Sequence, residues 1–257
     1  MTEPLYQPVP ERYHGVWART LLETPEGRDT TTWVRWLQTS QWHADLRVPA
    51  GLQRSQVNET AKLQGFCGIT QIKPVQGLDQ DICTWHRHYD FQPPRSAPDA
   101  GVMTFDTPQR LIESGVHGNY LEVWERLPGS VGRRIALQGL DRKGQTTAQR
   151  LLISGDYLMY VRPRAATWPE DLQFDETLFD LTQRHPNQSL ALLDFEITFG
   201  RLKAGTNGTL WCVEQTTRPD STLSPMPCKL VRTSDTQAGL ACGHLASDWR
   251  VMEWTEA

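Results

Sequence analysis

The feature that most constrains this chain is a set of short runs in which apolar and polar residues alternate, each closed by Gly, Pro, Asp or Ser. Period-two alternation puts successive side chains on opposite faces of a strand. In the first half the runs fall near residues 13–21, 30–38, 42–48, 63–71, 82–91, 101–105, 110–116 and 119–127. About eight such strands are enough to close a small barrel. The turn residues Thr24-Pro25-Glu26-Gly27, Pro93-Pro94 and Gly115 to Gly118 support the breaks between them.

The second half repeats the order. Strands are expected near 133–140, 146–153, 156–162, 190–202, 209–216, 228–234 and 248–254, with one helix over 170–185 that Pro186 would end. Thr31, Thr32, Leu37, Trp42 and Arg47 match Thr146, Thr147, Leu152, Tyr157 and Arg162 at a constant offset. Trp85 matches Trp211, and Val123 and Glu125 match Val251 and Glu253, at slightly larger offsets. Internal duplication with small loop insertions accounts for this. The expected architecture is all-β, with two tandem antiparallel barrels over residues 1–128 and 129–257. The break is placed at Leu127-Pro128-Gly129-Ser130.

Composition excludes several functions. A net charge of −4 offers no basic footprint, so nucleic acid is not an expected partner. No apolar run approaches the ~20 residues that span a bilayer. The opening Met1 to Tyr6 lacks a signal layout, so no membrane association is expected. Cys67, Cys83, Cys212, Cys228 and Cys242 are odd in number and contain no Cys-x-x-Cys pair. They read as reduced thiols of a cytoplasmic protein rather than a disulfide framework or zinc site. No phosphate loop, Gly-x-Ser-x-Gly elbow or His-Glu-x-x-His helix is present, and no cofactor is expected.

Three polar clusters stand out in the first half: His43, Asp45 and Arg47; His86, Arg87, His88 and Asp90 beside Trp85; and Glu113, Glu122 and Glu125 around Trp124. Arg47 and Arg87 can each fork onto a carboxylate from Asp45, Asp90, Glu113 or Glu122. Each cluster also has a plain reading. His43, Asp45 and Arg47 alternate with Trp42, Ala44, Leu46 and Val48, as an outward solvated face would, and that reading is favoured for an antiparallel sheet. His86 and His88 share a strand face, a spacing a metal tolerates only with further ligands, so no metal is expected. The duplicate comparison weighs toward function. Asp45 meets Tyr160, His43 meets Leu158, and His86, Arg87 and Asp90 meet Cys212, Val213 and Thr216. A charge needed to hold the barrel together should appear in both copies.

Gly15-Val16-Trp17 on the opening strand resembles the lipocalin and wider calycin signature. That resemblance implies that Trp17 plugs a closed barrel end and that Arg126 from the last strand packs across it. Thr31-Thr32-Trp33, Asp45-Leu46-Arg47-Val48-Pro49 and Asp248-Trp249-Arg250-Val251-Met252-Glu253 carry a longer resemblance, to the fungal Hri-type proteins and their uncharacterised bacterial relatives. It implies tandem calycin-like barrels and brings almost no biochemistry.

The preferred functional reading is a lipocalin-like binding module. The first barrel would hold a small organic ligand with an anionic or carbonyl group. Asp45, Arg47, Trp85, His86, Arg87, Asp90, Glu113, Glu122 and Trp124 are the candidate ligand-binding residues, and the second barrel is expected to be filled or less polar. An enzyme of hydrolase, isomerase or lyase type using acid/base residues in the same cup is the first alternative, with no catalytic residue singled out. The second is an interaction scaffold that docks a protein partner or a second copy of the chain.

Overall fold

The computed structural model describes residues 6–53, 56–218, 224–242, 245 and 247–256. Residues 1–5, most of the segment read above for a signal, lie outside it. The first half forms β1 (Gly15–Thr24), β2 (Gly27–Asp29), β3 (Trp33–Gln38), β4 (Trp42–Val48), β5 (Gln64–Pro74), β6 (Asp81–Asp90), β7 (Asp99–Thr107), β8 (Arg110–Gly115) and β9 (Leu121–Arg126). Each neighbouring pair is antiparallel, and β1 pairs with both β3 and β9, which closes an eight-stranded barrel. The short β2 is an extra ribbon folded back on β1.

The second half forms a closed barrel of β10 (Arg134–Leu140), β11 (Thr146–Ser154), β12 (Tyr157–Arg162), β13 (Glu196–Gly205), β14 (Gly208–Thr216), β15 (Met226–Arg232), β16 (Gln237–Cys242) and β17 (Ser247–Thr255). The duplication reading holds across the eight barrel strands of each copy. Residues 237–242 form β16, which the sequence did not announce because Ala and Gly dilute its strand signal. The expected helix over 170–185 narrows to α2 (Leu178–Arg184), starting where Thr177 accepts from the Asp180 amide in a capping box. Ser189–Leu193 form a further short helix where a strand was expected to open at residue 190. A four-residue helix, α1 (Val57–Thr60), precedes β5.

The barrels share a core. Trp42, Ala44, Leu46 and Val48 of β4 point outward and meet Tyr157, Met159 and Val161 of β12 in one buried cluster. Leu37 and Leu152, and Ile69 and Phe199, extend it, so equivalent faces of the two copies pack on one another. Trp33 meets Phe199 edge-on at 5.5 Å. Arg150 lies over the Trp42 ring at 4.7 Å and donates to the Tyr89 hydroxyl at 3.2 Å. All five cysteines are unpaired. Among the described residues no helix is long and apolar enough to cross a membrane.

Candidate functional site

Packing the apolar face of β4 against the second barrel turns its polar face inward. The outward, solvated reading of His43, Asp45 and Arg47 is therefore overturned. A sheet covered on its outer side by another domain reverses the usual assignment of the two faces. Trp17 closes one end of the first barrel. Its ring is fully buried, its Nε1 donates to the Tyr13 carbonyl at 2.9 Å, and the Arg126 guanidinium lies 4.5 Å from its centroid. Above it Trp36, Trp85 and Trp124 form edge-to-face pairs around Trp36.

His43 lies beneath the cavity, in a network of its own. Thr70 donates to Gln38 Oε1 at 2.7 Å, so its oxygen receives His43 Nδ1 at 3.0 Å. Burial pushes this imidazole well below its ordinary range, and Arg87 adds to the effect, which leaves it neutral.

Beyond these groups the barrel opens into a cup of about 400 Å³. Arg19, Arg47, Arg87 and Arg95 line it, and the first three are fixed by carboxylates. Arg47 Nε donates to Asp45 Oδ1 at 2.8 Å. Arg87 donates to Asp99 through Nε at 3.0 Å and Nη2 at 2.5 Å, and to Asp90 through Nη1 at 2.9 Å. Its guanidinium lies 3.6 Å from the Phe66 centroid. Arg19 bridges Glu122 at 2.6 Å and Asp29 at 3.1 Å. Among the described residues, neither Nη atom of Arg47 has a partner, and Arg47 lines the cup.

Burial raises the Asp45 carboxyl above its ordinary range despite the opposing pull of Arg47. Burial opposes the charge on Arg47, but Asp45 and Glu122 outweigh it and hold the guanidinium ionised. Glu113 accepts from the Tyr120 hydroxyl at 2.8 Å and from Trp124 Nε1 at 3.1 Å. Burial, then the neighbouring Glu122, raises its carboxyl well above the usual range.

Asp45, Arg47, Trp85, Arg87, Glu113, Glu122 and Trp124 thus line one cavity. Two candidates do not join them. Asp90 stands behind Arg87 and lines a neighbouring groove. His86 points away from the cup, stacked on Tyr6 at 4.7 Å, because its strand parity is opposite to that of Trp85 and Arg87. Among the described residues no three His, Cys, Asp or Glu side chains converge as a metal site.

The sequence reading missed Arg19, Asp29, Asp99 and Tyr120, all of which line the cup. Two were within reach of strand parity. Arg19 follows Trp17 by two residues, and Asp99 precedes Gly101 and the buried Met103 on one face. Tyr120 follows a glycine turn and carries no such signal.

The second barrel is built differently inside. Leu158 and Tyr160 occupy the places of His43 and Asp45 and pack with Leu137, Leu151, Trp211 and Trp249 in its interior. Arg162, the counterpart of Arg47, is half-buried and pairs with Asp194 at 2.7 Å and with the buried Glu196 at 3.7 Å. Among the described residues, Glu196, Thr198 and Thr216 remain as a small bonded polar group.

The chain matches no protein-family model and no curated protein sequence. It is similar in fold to the crystal structure of an uncharacterized protein, YLR301w, from Saccharomyces cerevisiae. The TM-score is 0.57 at 11% sequence identity, covering 93% of this chain and 98% of that one. At this identity the likeness concerns the fold alone, which is the tandem-barrel architecture.

Proposed function

We propose that the first barrel is a binding cup for a small organic molecule carrying an anionic or carbonyl group. The observation that carries this reading is Arg47. Asp45 fixes its Nε edge, whereas among the described residues neither Nη atom has a hydrogen-bond partner at the wall of the cavity. A guanidinium held in this way is ready to grip a carboxylate or carbonyl oxygen with little ordering cost. Aromatic walls and a few fixed polar groups are what small-molecule sites commonly show. The second barrel carries Tyr160 and Val213 at the matched places of Asp45 and Arg87, which supports a role specific to the first.

The pairing of Trp17 with Arg126 supports placing the first barrel in the calycin class. Together with the long resemblance noted above, it also supports kinship with the Hri-type proteins. Five unpaired cysteines fit a cytoplasmic setting. Titration calorimetry with a panel of small aromatic and aliphatic carboxylates tests the reading. A binder should emerge from the panel, and Arg47→Gln should weaken it about tenfold or more. Equal affinity in the variant would remove Arg47 as the anchor.

A further inference from the structure

Glu113 stands out as a built feature that anion binding by Arg47 does not use. A Cβ at Gly101 would lie 2.6 Å from Glu113 Cγ and 2.7 Å from Oε1, so only glycine on β7 leaves room for this carboxyl. A Cβ at Gly115 would lie 2.5 Å from Tyr120 Cε1. Two glycines on neighbouring strands therefore seat the two members of one hydrogen bond. The third member, Trp124, has an indole N–H that can only donate, and it occupies Glu113 Oε2. While Glu113 is ionised the Tyr120 hydroxyl donates to Oε1; with Oε2 held by the indole, protonation on Oε1 reverses that bond and turns the tyrosine's own hydroxyl hydrogen toward the cup.

We propose that the Tyr120 hydroxyl, backed by Glu113, is the hydrogen-bond donor of the cup. It would receive a phenolate, enolate or carbonyl oxygen of a planar ligand held among Trp36, Trp85 and Phe66. The inference rests on the cup being a binding site and adds the chemistry of a second anchor beside Arg47. Glu113 keeps its proton because of what surrounds it. Glu122 faces it directly across β8 and β9, Asp99 approaches from β7, and the Cys83 thiol from β6. Arg47, from β4, is the cation that opposes them, and it is already paired with Asp45. Ionising Glu113 would add a second negative charge beside Glu122 in a buried wall. A neutral carboxyl relaying its proton through a tyrosine offers a donor that strengthens as charge collects on the ligand oxygen.

Two measurements test this, one without any ligand. Infrared difference spectroscopy near neutral pH should show the carbonyl stretch of a protonated carboxylic acid, lost in Glu113→Gln. A carboxylate signature for Glu113 at that pH overturns the assignment. In the second, 4-nitrophenol and benzoate are titrated separately into the whole chain, the phenol followed by its phenolate absorbance. Tyr120→Phe should weaken 4-nitrophenol about tenfold or more while leaving benzoate within about twofold. Arg47→Gln should do the reverse. If Tyr120→Phe leaves 4-nitrophenol unchanged while benzoate still depends on Arg47, the donor proposal falls and the binding reading stands. A wild-type protein that takes up neither probe overturns the ligand assignment in both.

Discussion

Arg126 lies across the face of Trp17, 4.5 Å from the ring centroid, while its Nη2 donates to the Arg12 carbonyl at 2.5 Å. The cation thus seals the ring into the closed end and ties the last strand of the barrel to the segment before the first. Truncating Trp17 to Ala should cost about 3–5 kcal/mol, as for other buried large-to-small changes. Arg126→Leu should cost about 1–2 kcal/mol by losing the stacked cation and its hydrogen bond. Urea unfolding followed by tryptophan fluorescence measures both, and an Arg126→Leu protein as stable as wild type would show the contact to be idle.

Arg19 is expected to be the most sensitive member of the cup wall. It and Glu122 are almost wholly buried and joined at 2.6 Å. Arg19→Met leaves Glu122 unpaired and should destabilise by about 3 kcal/mol. Adding Glu122→Gln should recover part of that loss, and the double-mutant cycle from denaturation midpoints gives the coupling. Simple additivity would mean that the pair does not act as a unit.

Glu113 makes stability depend on pH in a definite direction. Its folded-state carboxyl titrates above the ordinary 4.5, so the folded chain keeps a proton that the unfolded chain releases. The favourable contribution is complete below about 4.5 and is lost as pH rises toward the raised value, at up to about 1.4 kcal/mol per pH unit. Glu113→Gln has no such proton to keep. Its stability relative to wild type should therefore grow as pH rises through that window, measured by chemical denaturation at several pH values. A constant difference would place the Glu113 titration in the ordinary range.

Gly101→Ala places a methyl group against Glu113 and should cost about 1–3 kcal/mol through overpacking. It should also break the Glu113–Tyr120 hydrogen bond, read as loss of the protonated-acid infrared band. Retention of that band would show that the wall yields elsewhere.

The two barrels should unfold together. Trp42, Ala44 and Leu46 are buried in one cluster with Tyr157, Met159 and Val161 of the second barrel. Intrinsic fluorescence and far-ultraviolet circular dichroism should trace coincident denaturation curves, and a fragment of residues 1–128 should bind the dye ANS strongly. Two separate transitions would indicate independent barrels.

The architecture was legible because strand periodicity and turn residues repeat along the chain, and the halves align even where their chemistry differs. The orientation of β4 was not. Alternation in Trp42-His43-Ala44-Asp45-Leu46-Arg47-Val48 distinguishes two faces but does not say which one looks into the barrel. The answer depends on the second barrel, far away in sequence. His86 stands beside Arg87 in sequence, yet adjacent strand residues point to opposite faces and only Arg87 reaches the cup. Asp99 and Tyr120 entered the site through strand pairing and a loop, relationships that a single strand's pattern does not encode.

The shared core has a mechanical consequence. A hollow cup lacks the interior packing that stiffens an ordinary small barrel, so its wall must be braced from outside. The tightly filled second copy supplies that bracing along β3, β4 and β5, the strands that carry Trp36, Asp45, Arg47 and Phe66. One copy of the duplication can stay hollow because the other has become its buttress. Loosening the packing around Met159 or Phe199 should then slacken the geometry of a cavity that neither residue touches.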